Sequence, residues 1–108
     1  MIDNKLKEIK KIIIEELEKE NIKVHKIILF GSRVRGDFKE DSDWDFYVII
    51  DKNLDFHKKW KIIKQIQKKI LEIDEICDII ITSEKKFFED IDNVGKILYY
   101  AVREGIEI

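Results

Sequence analysis

Proline is absent from this 108-residue chain, cysteine occurs once and histidine twice. The single Cys77 excludes an internal disulfide and accords with a reducing compartment. His25 and His57 fall at no metal-ligand spacing, so a zinc site has neither an imidazole cluster nor a thiolate set to draw on. Neither basic nor acidic residues are in clear excess. With 21 basic against 23 acidic residues the net charge is -2, which offers no basic groove for nucleic acid and no membrane-surface patch. No apolar run approaches membrane-spanning length, and the lysine- and glutamate-rich start lacks a signal peptide's apolar block. The chain is expected to be soluble, cytoplasmic and a single domain over 1–108. Glutamine is scarce while lysine, glutamate and isoleucine abound, a bias reported for proteins that work hot; it carries no functional information.

What is present is strong apolar patterning. Leu6, Ile9, Ile13 and Leu17 recur at helical spacing over residues 3 to 21, with Asp3 or Asn4 as a cap. "VHKIILF" (Val24 to Phe30) predicts a strand ended by Gly31, and residues 33 to 43 read as turn and loop. "WDFYVII" (Trp44 to Ile50) predicts a second strand. Phe56, Trp60, Ile63, Ile66, Ile70 and Ile73 predict a helix, and Ile76 to Ile81 a third strand. A last helix is expected from Asp92 to Glu104, closed by Gly105 in a left-handed cap. The order predicts an α/β (α+β) fold, a small mixed sheet covered by helices. The short first connection suits an antiparallel pair, and the helix from 56 to 73 permits a parallel return.

The anomaly is acidic. Asp41, Asp43 and Asp45 alternate into the second strand. Asp43 and Asp45, two apart, leave one face. Asp78 interrupts the apolar third strand, where a carboxylate is expected to be buried. If the second and third strands are neighbours, three carboxylates face one spot and need divalent cations between them. An all-oxygen donor set points to Mg²⁺ or Mn²⁺. Taken alone, "DSDWD" is more often a solvated turn or helix cap than a metal site. An EF-hand loop starting at Asp41 fails at Phe46 and Lys52, which replace its glycine and glutamate. A P-loop starting at Gly31 fails at Asp37 and Phe38.

What remains is Gly31-Ser32, ten residues, then Asp43-x-Asp45. In this pattern, in the turn "GSRVRG" and in the Ser-Asp before the second acid, the chain resembles the nucleotidyltransferase superfamily related to DNA polymerase β. It is most similar to the minimal nucleotidyltransferases known as MntA-type antitoxins. The resemblance implies a polymerase-β-like core from the first helix to about Tyr100. It puts the third carboxylate on Asp78, which would hold a metal with Asp43 and Asp45. It also implies ATP as substrate, Gly31 and Ser32 at its phosphates, and AMP transfer to a tyrosine of a HEPN-domain (HepT-type) ribonuclease toxin. Arg33 and Arg35 read as phosphate or partner contacts, or equally as solvated turn charges. Two other functions stay open: an antitoxin that only binds its partner, and nucleotidyl transfer to a small molecule or an RNA end. Near-neutral charge argues against direct nucleic-acid binding. Elsewhere Cys77, Trp44, Phe46 and Trp60 are expected in the core. Packing is the expected role of Tyr47, and Tyr99 and Tyr100 are expected in core or interface.

Overall fold

Helix α1 (Asn4–Glu18) forms because its apolar residues make one stripe: Leu6, Ile9, Ile13 and Leu17 are all buried. The fold is that of a computed structural model, which describes residues 4–36, 39, 42–93 and 95–108. Asp3 and Asp41 lie outside the described residues. Asn21, in the left-handed region (φ 59°), turns the chain into strand β1 (Val24–Phe30). A single helical turn, α2 (Ser32–Arg35), follows where only loop was expected. Then come β2 (Trp44–Ile50), α3 (Phe56–Leu71), β3 (Cys77–Ser83), α4 (Glu84–Asp90), α5 (Ile97–Glu104) and a two-residue strand β4 (Ile106–Glu107).

The strands form one sheet in the order β3-β2-β1-β4. β1 runs antiparallel to β2 and to β4, and β3 runs parallel to β2 after the α3 crossover, arrangements the connection lengths allow. Alternation then sorts side chains to two layers. Ile27 and Leu29, Phe46 and Val48, and Ile79 and Ile81 pack under α1 and α3. Ile28, Tyr47 and Ile49 pack under α4 and α5 against Phe87, Leu98 and Ala101.

Three expectations need correcting. Along α3 the buried residues are Ile62, Ile66 and Ile70, while Phe56 and Trp60 are 74% and 54% exposed. At about 100° per residue, Trp60 lies roughly 200° round the helix from Ile62, so it cannot share that stripe. The helix expected from Asp92 begins only at Ile97, and a further helix, α4, stands before it where none was expected. Ser83 caps α4 by accepting from the Lys86 amide at 3.2 Å, and with Glu84 beside it this was the sequence signal for a separate helix. Gly105 is not left-handed: its φ is -84°. It is small for another reason, since a Cβ there would overlap Ile28 and the carbonyls of Leu29 and Ala101.

Candidate active site

The end of β1 sets the site. Phe30 pairs with Asp45 on β2, and Asp45 pairs with Asp78 on β3, so the three stand in one row across the sheet. Alternation aims this row at the face that α4 and α5 share. Those helices cover Ile28, Tyr47 and Ile49, further along the strands, and leave the row at the uncovered end. That is why Asp78 is exposed, contrary to the expectation of a buried acid, and why Asp45 is half-buried. Asp43, also exposed, precedes the strand.

Electrostatics bring the three acids together. Burial raises the pKa of Asp45, and the charges of Asp78 and Asp43 raise it further, with Arg35 opposing them. The Cys77 thiol is pushed up to about 12 by burial first and then by Asp78, Asp43 and Asp45. Among the described residues, no three acidic, imidazole or thiol groups are drawn tightly enough round one point to enclose an ion. The donor set nonetheless suits a hard divalent cation: it is all oxygen and mutually repelling, with Asp45 and Asp78 level on neighbouring strands and Asp43 two residues before Asp45.

Gly31 fits against this row. Its φ of 82° is open to glycine, and a Cβ there would run into the Asp45 carboxylate. Its carbonyl accepts the amides of Val34 and Arg35 at 3.1 and 3.2 Å, which bends the chain into α2 beside the carboxylate. Ser32, half-buried, opens α2, and Gly36 closes it.

The two arginines of "GSRVRG" part company. Arg35 is exposed and stands 3.9 Å from Glu104 of α5, a weak solvent-exposed pair. Arg33 is neither solvated nor extended: its side chain is 9% exposed, and its guanidinium lies 4.1 Å from the centroid of the Trp44 ring. Glu75, to which it is paired at 3.9 Å, had no sequence signal, being one acid in a polar turn. Tyr47 is buried in the α4–α5 layer with its hydroxyl bonded to Thr82, so packing is its role. His25 and His57 are exposed. A groove of about 630 Å³ follows the outer edge of β1 past Ile14, Ile22 and Ile108, away from the acids.

The sequence pattern of the family described as "Polymerase beta, Nucleotidyltransferase" matches residues 7–104. The chain belongs to the polymerase beta nucleotidyltransferase family. As a minimal nucleotidyltransferase it is similar to two Methanocaldococcus jannaschii proteins that carry the provisional name protein adenylyltransferase. It is 33% identical to MJ0604 over 104 residues, covering 89% of this chain and 99% of that one. It is 34% identical to MJ0141 over 76 residues, covering 68% and 77%. Among solved structures, a toxin–antitoxin with AMP-PNP superposes on this nucleotidyltransferase with a TM-score of 0.56 at 21% identity, over 97% of this chain and 72% of the other. A mutant of the toxin–antitoxin MntA-HpeT gives 0.55 at 21% identity, over 92% and 70%. These two share its polymerase-β-like fold. Among the described residues, no helix is long and apolar enough to cross a membrane.

Proposed function

We propose that this nucleotidyltransferase is a cytoplasmic, single-domain, Mg²⁺-dependent protein adenylyltransferase that moves AMP from ATP onto a tyrosine of a HEPN-type toxin and so acts as its antitoxin. The observation that carries the chemistry is the row Asp45–Asp78 with Gly31 closed against it. The acceptor hydroxyl oxygen bonds to the α-phosphorus, the bond from that phosphorus to the β-phosphate breaks, and pyrophosphate leaves. Asp43, Asp45 and Asp78 are the residues that would hold Mg²⁺, or Mn²⁺ in its place. Two such ions would supply charge neutralisation at the entering and leaving oxygens. Asp78, exposed at the rim, takes the proton of the incoming hydroxyl. Gly31 admits the triphosphate close to the backbone, and the Ser32 hydroxyl and Arg35 guanidinium bind its oxygens. Catalysis of this kind is mostly positioning and electrostatics.

Protein as the acceptor is supported by the names of the two archaeal relatives. The antitoxin role is supported by the fold shared with toxin–antitoxin proteins, one of them with AMP-PNP. A partner surface is supported by the last helix, where Ile97, Tyr100 and Val102 stand exposed.

The test is transfer of label from α-phosphate-labelled ATP with Mg²⁺ into protein of a source-organism extract, beside an Asp43→Asn, Asp45→Asn double variant. A labelled band made only by the wild type supports the reading and gives the acceptor for sequencing. Label found in small molecules or RNA moves the acceptor class. Failure of the wild type to bind ATP or metal leaves an antitoxin that works by binding alone.

A further inference from the structure

We infer that Arg33 is a positioning residue, a clamp that holds the ends of the acid-bearing strands, and not a group that touches the nucleotide. The inference rests on the reading of Asp43, Asp45 and Asp78 as the metal-holding set. Arg33 Nη2 and Nε donate to the carbonyl oxygen of Ser42 at 2.7 and 3.2 Å. The same guanidinium lies over the Trp44 ring, and its Nη2 stands 3.9 Å from Glu75 Oε2. That carboxylate oxygen accepts from Trp44 Nε1 at 3.0 Å, which closes a ring of three side chains. The Trp44 amide donates to the Ile76 carbonyl at 2.9 Å, on the approach to the β2–β3 ladder.

The chain positions give this ring its meaning. Arg33 follows Gly31 and Ser32. Ser42 precedes Asp43, and Trp44 lies between Asp43 and Asp45. Glu75 comes three residues before Asp78. One guanidinium therefore ties together the three segments that carry the phosphate-side residues, the paired acids and the third acid. Its side chain is almost out of solvent and its charge is met by a carboxylate that is itself only 18% exposed. Arginine suits the task because a planar fork can lie flat on an indole while two N–H groups in its plane reach one carbonyl. A lysine keeps the charge and loses both features.

The experiment uses the full chain and an Arg33→Lys variant with two measurements. The first is amide hydrogen exchange at residues 42–45 without metal. The second is calorimetric binding of a non-cleavable ATP analogue with and without Mg²⁺. Partners behind metal ligands are worth roughly 10- to 100-fold in metal affinity. The expected result is about tenfold faster exchange at Trp44 and Asp45, about tenfold weaker binding with Mg²⁺, and unchanged binding without it. An equal loss with and without Mg²⁺ would make Arg33 a direct phosphate contact and overturn the proposal. So would unchanged binding with faster exchange, which is a structural role only, or no change in either. Should Arg33→Lys not fold, Glu75→Gln keeps the acceptor for Trp44 and removes the ion pair, and a smaller change in the same pattern is expected. If the wild type binds the analogue no better with Mg²⁺, it is the metal reading that fails, and exchange unchanged in Arg33→Lys would separately overturn the clamp.

Discussion

Asp45 and Asp78 stand level on adjacent parallel strands, and each is worse placed for the other's charge. Burial first, and then the charges of Asp78 and Asp43 that folding brings near, put the pKa of Asp45 in the folded state above its unfolded value. A raised acid binds more protons folded than unfolded, so its contribution to stability is greatest at low pH and is lost as pH rises through the folded pKa. At neutral pH, Asp45→Asn is therefore expected to raise the melting temperature of the metal-free protein by roughly a few degrees. The gain should shrink as pH is lowered toward 4. Calorimetric melts of both proteins at pH 4 and 7 check it, and a variant less stable at pH 7 would contradict the repulsion.

The same repulsion predicts the response to divalent ions. Mg²⁺ that binds only the folded chain stabilises it by RT ln(1 + [L]/Kd), about 2.7 kcal/mol at a hundredfold excess over Kd. The melting temperature should climb with Mg²⁺ in the wild type and stay flat in an Asp45→Asn, Asp78→Asn variant. A wild-type melt indifferent to millimolar Mg²⁺ and Mn²⁺ would leave the acids without a metal role.

Gly31→Ala puts a methyl group where the Asp45 carboxylate sits, on a backbone at φ 82°. Strain of this kind costs on the order of 1–3 kcal/mol. The chain has to move away from Asp45, so ATP binding should fall more than stability does. Ser32→Ala, which leaves the backbone alone, should weaken ATP binding without lowering the melting temperature. Isothermal titration and thermal melts of the two variants separate backbone geometry from hydroxyl chemistry.

Much of this was written in the sequence at the level of elements. β1 and β2 begin and end where the apolar runs do, because short, mostly apolar segments between polar turns leave little choice of boundary. The antiparallel and parallel pairings are the ones the connection lengths suited. Asp78 shows where such reading stops. An acid amid isoleucines looks buried, yet which end of a sheet its helices leave bare depends on α4 and α5. Those helices come later in the chain, and the first of them was not expected. Arg33 shows the same limit. Its neighbours Trp44 and Glu75 are 11 and 42 residues away in sequence, and the β1–β2 pairing brings the first to it and the β2–β3 pairing the second.

Cys77 should be unreactive. It is buried, 3% exposed, and its thiol is pushed up to about 12, so the thiolate that attacks alkylating reagents is scarce at pH 8. Native protein is expected to resist iodoacetamide for hours and to react at once in guanidinium. Fast labelling of the folded protein would mean that the β2–β3 end opens readily.

The two C-terminal glycines offer a test of packing against backbone freedom. Gly105 has an ordinary φ of -84°, so dihedral preference alone predicts that alanine is tolerated or mildly stabilising there. Space predicts the opposite. A Cβ at Gly105 would meet the carbonyls of Leu29 and Ala101 and the Ile28 side chain, where α5 hands the chain to β4 against β1. Two of these are backbone and cannot swing aside, so β4 has to lift from the sheet, and a loss of about 1–3 kcal/mol is expected. Gly95 is the control. The nearest atom to a Cβ there is the Asn93 side-chain oxygen at 3.5 Å, an ordinary contact, and its φ is not in the left-handed range. Gly95→Ala should therefore be neutral or slightly stabilising in urea unfolding, while Gly105→Ala lowers the midpoint. Equal effects from both would mean that β4 is too loosely held for close approach to matter, and the edge of the sheet would then end at β1.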